Sequence, residues 1–178
     1  SFVTTLFGKV AKVMCDMSKP YPTRRTPEGD RDVEVYDLVT ILLRLENGAS
    51  GYIAASRTAW GRKGRIAIQI FGYRGTITFD QERMNEFQLY VTSDRPTEQG
   101  FRTILSAPHH PPYDRFIPAP GHNLGFNDLK VIECRQLIGR IRGEESVGIT
   151  FDDGILIERT VAAAGKSFQE GRWVEVES

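Results

Sequence analysis

The chain has 178 residues, enough for one ordinary domain with a sizeable core. Its 23 Lys+Arg balance 23 Asp+Glu, so no electrostatic attraction to nucleic acid or to an anionic membrane is expected. No apolar run approaches the roughly 20 residues that span a bilayer, and neither Cys15 nor Cys134 sits in a paired motif, which argues for reduced thiols in a cytoplasmic protein.

The opening stretch, SFVTTLFGKV, lacks a starting Met and reads as the end of an amphipathic helix, hence as a fragment or excised domain. KVAKVMCDM then alternates, placing Ala11, Val13, Cys15 and Met17 on one face of a strand. Residues 18–31, rich in Pro, Arg and Gly, read as a long loop. VEVYDLVTILLRLENGASGYIAASR reads as two strands joined across Asn47-Gly48, both of which tolerate positive φ. GRIAIQIFG, TITFD, EFQLYVTS and FRTILSA continue the period of two. Hairpin-length links between them predict a large, mostly antiparallel open sheet. Tyr36, Leu38, Leu42, Tyr52 and Tyr90 fall where a wet face would carry Lys and Glu. The second face is therefore expected to be covered by another copy of the chain, making a homo-oligomer, most simply a dimer.

The last third changes period. GFNDLKVIECRQLIGRIRG forms a broad helical stripe from Phe126 to Ile141, with Gly143 as its stop. In DDGILIERTVAAAGKSFQEG, Asp152 or Asp153 is the expected N-cap, Ile157, Val161, Ala164 and Phe168 the buried stripe, and Gly171 the end. RWVEV returns as a short edge strand. Strands first and helices later define the α+β class, with helices packed on one face of the sheet. Residues 1–178 are expected to form a single domain.

Several stretches bear on chemistry. FGYRGTITFD has two glycines three apart, but a dinucleotide fingerprint needs G-x-G-x-x-G leading into a helix. Thr76-Ile77-Thr78-Phe79 is β-branched and alternating, so the glycines serve a hairpin turn and no cofactor loop is expected. His109, His110 and His122 lack metal-ligand spacing. The proline-rich SAPHHPPYDRFIPAPGHNLGF cannot join a sheet interior, because proline lacks an amide donor. Tyr113, Phe116 and Phe126 would anchor it as an ordered loop, which could present Tyr113, Arg115 and His122 to a polyhydroxylated ligand or could simply cover a sheet edge. SRTAWGRKGR joins Trp60 to Arg57, Arg62, Lys63 and Arg65. An indole that stacks on a sugar beside cations that bind hydroxyls is one reading, and a solvated hairpin with one anchoring Trp the other. No nucleophile elbow or activated Cys is present.

Four of these stretches in order, LENGASGYIAASR, IAIQIFGYRGTITFD, HHPPYDRFIPAPGHNLGFNDLK and FDDGILIERTVAAAGKSFQEGRWVEV, resemble the C-terminal domain of the glucose-fructose oxidoreductase / inositol dehydrogenase / rhizopine-catabolism (Gfo/Idh/MocA) family. The resemblance spans nearly the whole chain. It implies an NAD(P)-dependent oxidoreductase acting on a secondary alcohol of a sugar or polyol. In that family a Rossmann domain binds NAD or NADP, and a lysine of an E-K-P motif and an Asp/His pair serve hydride transfer. None of these motifs occurs in these residues, so no catalytic, cofactor-binding or metal position is carried over. The second domain of the family closes the substrate cleft and mediates oligomerisation. On that basis Trp60, Arg62, Tyr113, His122 and Asn127 are the expected substrate-wall residues, with roles in orientation and hydrogen bonding. The alternative is a stand-alone, non-catalytic ligand-binding or scaffold module.

Overall fold

The structure, a computed structural model, describes residues 2–177. In chain order the elements are helix α1 (Phe2–Phe7) and strands β1 (Val10–Ser18), β2 (Thr23–Thr26), β3 (Gly29–Asp32), β4 (Leu38–Leu45) and β5 (Ser50–Ser56). Strands β6 (Ala67–Gly72), β7 (Gly75–Asp80), β8 (Glu86–Val91) and β9 (Arg102–Leu105) follow. Helices α2 (Phe126–Ile141) and α3 (Phe151–Glu170) and strand β10 (Val174–Glu175) complete the chain. The α+β class and the antiparallel pairing are as the periodicity predicts. The hydrogen bonding divides the strands into sheets ordered β10-β1-β4-β5 and β6-β7-β8-β9, with β2-β3 as a separate ribbon. The chain gathers into two compact units, one comprising the residues up to Trp60 and from Ile149 on, the other Gly61–Gly148.

In the first unit, β1 and β4 pair with Val13 opposite Leu43 and Cys15 opposite Ile41. This puts Val13, Cys15, Leu43 and Leu45 on one face, where they are buried with Ala163 and Ala164 of α3. Small residues on α3 let the helix lie close to β1. Its buried side runs through Ala163, Ala164 and Ser167, while Val161, expected in that stripe, is 56% exposed. Thr150 is the N-cap, not Asp152 or Asp153. Its hydroxyl accepts the Asp153 amide at 3.1 Å, and the Asp153 carboxylate accepts the Thr150 amide at 2.8 Å. This reciprocal box explains the acidic pair as the first turn of the helix rather than its cap. Gly171, at φ 64°, ends the helix as expected.

Two loops differ from the sequence reading for local reasons. Between β4 and β5 only Gly48 takes a positive φ, 86°. Its amide bonds to the Leu45 carbonyl at 3.0 Å and the Leu45 amide to Ala49 at 2.8 Å, so the link is a longer turn closed by a glycine bulge rather than a two-residue one. The Asn47 side chain accepts the Ala49 amide within the turn at 3.0 Å and donates to the Phe7 carbonyl at 3.0 Å. Within 18–31, read as a loop, β2 and β3 form a ribbon with Arg25 opposite Asp30. Its residues are almost all exposed, so no apolar alternation announced it.

In the second unit, pairing puts Ile68, Phe79, Phe87 and Ile104 in one row across the sheet and Gln69, Thr78, Gln88 and Thr103 in the next. One of these rows is thus apolar; the other is a row of amides and hydroxyls, in which Gln88 donates to Thr103 at 2.9 Å, on a face that also carries Phe71 and Tyr90. Tyr73-Arg74 makes the tight turn without positive φ. Gly75 is required for another reason: a Cβ there would run into the Tyr90 carbonyl oxygen of β8.

Candidate functional site

The proline-rich segment is held as an ordered loop by one side chain that the sequence reading passed over. Asn85, just before β8, donates from Nδ2 to the Leu124 carbonyl at 2.9 Å. Its Oδ1 accepts the Leu124 amide at 2.7 Å and the Ser106 hydroxyl at 3.1 Å, and its carbonyl accepts the Ser106 amide at 2.7 Å. Both ends of the loop are therefore fastened at a single residue. Ile117, 0% exposed, and Leu124 are its buried apolar anchors, whereas Phe126, expected in that role, is 58% exposed. The only hint in the sequence was an Asn between a turn and a strand, a common pattern.

Within this frame Tyr113 begins a single 3-10 turn and is half-buried, His122 is exposed, and Asn127 is exposed in the first turn of α2. The His122 Nδ1 lies 3.0 Å from the Ala119 carbonyl. A carbonyl only accepts, so this nitrogen carries the proton and a neutral His122 offers Nε2 to solvent as an acceptor. His110 has the other tautomer, since its Nδ1 accepts the Ala107 amide at 3.1 Å. Tyr113, His122 and Asn127 thus share one loop-and-helix segment of the second unit.

Arg62 belongs to the same unit but is already engaged. Its guanidinium donates to Glu82 Oε2 at 3.0 Å, the other Glu82 oxygen accepting the Lys63 amide at 2.6 Å. Arg65 donates to Asp80 at 2.7 Å, and Asp80 also accepts the Glu82 amide at 3.0 Å. The Arg65 hydrogen bond, then the Glu82 amide, hold the Asp80 carboxyl below its usual range. The Lys63 amide chiefly does the same for Glu82, helped by Arg62. The expected cation cluster is therefore an interleaved ion-pair clamp closing the β6–β7 hairpin. Trp60 lies in the first unit, 86% exposed. Its Nε1 donates to the Tyr21 hydroxyl at 3.3 Å.

Gly75 leads into β7, not a helix. The N-termini of α2 and α3 already carry carboxylates: Asp128 accepts the Gly125 amide at 2.7 Å, and Asp153, in the first turn of α3, accepts the Thr150 amide at 2.8 Å. A phosphate would meet like charge at both. No group of three or more His, Cys, Asp or Glu suited to a metal occurs among the described residues.

The fold defines a class: an α+β chain of antiparallel sheets, the first of them backed by α3, which follows the strands in sequence. Residues 1–78 match the family described as GFO/IDH/MocA C-terminal domain. Levoglucosan dehydrogenase of Pseudarthrobacter phenanthrenivorans is 35% identical over 150 residues, 84% of this chain and 38% of that protein. The structure of levoglucosan dehydrogenase in complex with NADH and levoglucosan superposes with a TM-score of 0.92 at 32% identity, covering 99% of this chain and 47% of that one. An NAD binding oxidoreductase from Klebsiella pneumoniae gives 0.93 at 32% identity, with 99% and 48% covered. The chain belongs to the Gfo/Idh/MocA family, as its C-terminal domain. It spans about half the length of the solved structures that it matches.

Proposed function

We propose that this chain is the substrate-binding and oligomerisation domain of an NAD(P)-dependent oxidoreductase that acts on a secondary alcohol of a sugar or polyol. The observation that carries the reading is the superposition of the whole chain on a dehydrogenase structure described as holding NADH and levoglucosan. The anchored loop agrees with it. Fastening residues 106–124 at Asn85 presents the Nε2 acceptor of His122 and the amide of Asn127 without a mobile tail. These groups, with Tyr113 and the Arg62 donors not engaged by Glu82, would orient hydroxyl groups by hydrogen bonding; Trp60 of the first unit would, by itself, offer a stacking face. Nicotinamide, when bound by the rest of such an enzyme, accepts hydride. The residues described here would contribute binding and orientation only.

Oligomerisation is assigned to the outer face of the first unit's sheet. Leu42 and Tyr52 lie opposite each other in the β4–β5 pair and are 48% and 71% exposed, an apolar pair that a second copy would cover. The free thiols of Cys15 and Cys134 support a reducing, cytoplasmic setting. No described helix is long and apolar enough to cross a membrane.

The test is made on the intact protein that carries this domain. His122→Ala and Asn127→Ala are expected to raise the KM for the sugar about ten-fold while leaving kcat within about two-fold, the pattern of lost uniform binding. Unchanged KM in both variants would refute the substrate role of the loop. Reading the coding DNA upstream of Ser1 separates the enzyme from a stand-alone binding module: an in-frame glycine fingerprint and E-K-P favour the former, a start codon there the latter.

A further inference from the structure

Ala107, near the start of the proline-rich loop, is buried, so its backbone N–H needs a partner within the protein. That partner is a side chain: His110 Nδ1 accepts the amide at 3.1 Å. The same two residues share a second bond, in which the His110 amide donates to the Ala107 carbonyl at 3.0 Å. The His110 carbonyl accepts the Tyr113 amide at 2.8 Å. The Tyr113 carbonyl accepts the amides of Phe116 at 2.9 Å and of Ile117, the fully buried anchor, at 2.8 Å. A line of hydrogen bonds thus runs from one imidazole nitrogen through Tyr113 to the anchor of the loop. Pro108, Pro111 and Pro112 contribute no amide to it, so little is at hand to replace a bond that is lost.

His110 Nδ1 can accept only while the ring is neutral and its proton sits on Nε2. Once protonated, both ring nitrogens are donors. The Nδ1–H then meets the Ala107 N–H, donor against donor, and a buried amide loses its partner. The structure sets His109 beside this ring, with centroids 6.1 Å apart, and a second imidazolium there would oppose the first. Asp114 and Arg115 follow in the next turn. Among the described residues neither these nor any other charged side chain hydrogen-bonds or pairs with the His110 ring, so nothing offsets the added charge.

We propose that His110 is a positioning residue of the candidate substrate loop and that a proton on its Nδ1 releases Tyr113. With the ring neutral, the Ala107–His110 turn is closed and Tyr113 is held in the wall. With the ring charged, the turn opens and substrate affinity falls, while the hydride-transfer step is untouched. The opening is local, because Asn85 still fastens Ser106 and Leu124 on either side. The thermal midpoint, which reads the whole fold, therefore changes little. The proton-controlled turn stands on its own geometry; its effect on substrate rests on the sugar-oxidoreductase reading.

The decisive variant is His110→Asn, whose side-chain oxygen reaches the place of Nδ1 and accepts a hydrogen bond but does not titrate. On the intact protein that carries this domain, amide hydrogen exchange of residues 107–113 is followed by mass spectrometry at about pH 8 and pH 5, the ends of the range in which histidines ordinarily change charge. Comparing variants at one pH cancels the intrinsic rates. Wild type and His110→Asn are expected to exchange alike at pH 8, and wild type about ten-fold faster at pH 5. His110→Ala is expected to exchange fast at both. With levoglucosan as the substrate, the ratio of wild-type KM to His110→Asn KM is expected to rise from about one at pH 8 to about ten at pH 5. The kcat ratio is expected to stay within about two-fold. Equal exchange of wild type and His110→Asn at pH 5, or slow exchange of His110→Ala at pH 8, overturns the proposal and leaves the sugar reading standing. Faster wild-type exchange at pH 5 with a KM ratio of one at both pH values overturns the positioning of Tyr113 for substrate. Absence of turnover with levoglucosan counts against the sugar reading alone, since exchange decides the role of the proton without substrate.

Discussion

At the scale of single residues, Ser167 shows how a polar side chain becomes indispensable inside an apolar interface. It is 0% exposed, its hydroxyl accepts the Cys15 amide at 3.0 Å, and it donates to the Arg172 carbonyl at 2.7 Å. Strand β10 pairs with β1 only at Lys12 and Val13, so the Cys15 amide lies beyond the strand that would have satisfied it. Ser167→Ala leaves both backbone groups buried and unpaired and is expected to cost about 1–3 kcal/mol, read by chemical denaturation. Cys15 beside it is chemically quiet, because burial, then the nearby Asp16 charge, pushes its thiol up from its ordinary value. Gly75 is the corresponding backbone case. Any side chain there meets the Tyr90 carbonyl, so Gly75→Ala is expected to cost about 1–3 kcal/mol through displacement of β7 from β8. A thermal midpoint equal to wild type would show that the two strands can separate freely.

At the scale of elements, the turn after Trp60 illustrates how a run of cations is neutralised locally. Arg62 and Arg65 are paired with Glu82 and Asp80 across the β6–β7 hairpin, and both carboxyls titrate below their usual range. A depressed folded value contributes stability that is fully present above the ordinary carboxylate range, about pH 4. That stability is lost as the pH falls through the depressed values. The thermal midpoint is therefore expected to hold steady from neutral pH to about 5 and to fall below about 4. Asp80→Asn combined with Glu82→Gln is expected to flatten that acid limb; an identical acid limb in the double variant would remove the clamp from the account. Both pairs are solvent-facing, so raised salt should weaken the effect. The β2–β3 ribbon is the contrasting element, since its anchor, Asp37, is buried and less open to screening.

At the scale of the whole molecule, the proposed interface is the outer face of the β1–β4–β5 sheet. The β1–β4 register brings Met14 opposite Leu42, and Tyr52 faces Leu42 from β5. By strand alternation Leu42 and Tyr52 lie on the side away from the buried Val13, Cys15 and Leu43, whereas the Met14 sulfur meets the Ser167 hydroxyl at 3.7 Å. The expected outcome is a homodimer in light scattering that dissociates when Leu42→Lys and Tyr52→Lys are combined, because a desolvated charge costs several kcal/mol unless paired and two like charges opposite each other cannot pair. Monomers at all accessible concentrations in the unsubstituted protein would refute this interface. Tyr36, which the sequence reading also assigned to that face, takes no part in it; its ring packs edge-on against Phe168 of α3 at 5.1 Å.

The periodicities determined most of the architecture. Alternation marked β1 and β4–β9, and glycine punctuation marked the ends of both long helices, because a buried face and a positive φ leave local traces. The four family-like stretches, read in order, were enough to assign the chain to its family. Three things were decided only by the tertiary structure: the Asn85 clamp on Leu124, the Asp37 anchor of an all-polar ribbon, and the Ser167 bond to Cys15. These bonds join residues 39, 13 and 152 positions apart. A repeat of two or of 3.6 records which way a residue faces its own element. It does not record which distant amide or carboxylate the fold will bring to that residue's side chain, and the candidate site is built from such meetings.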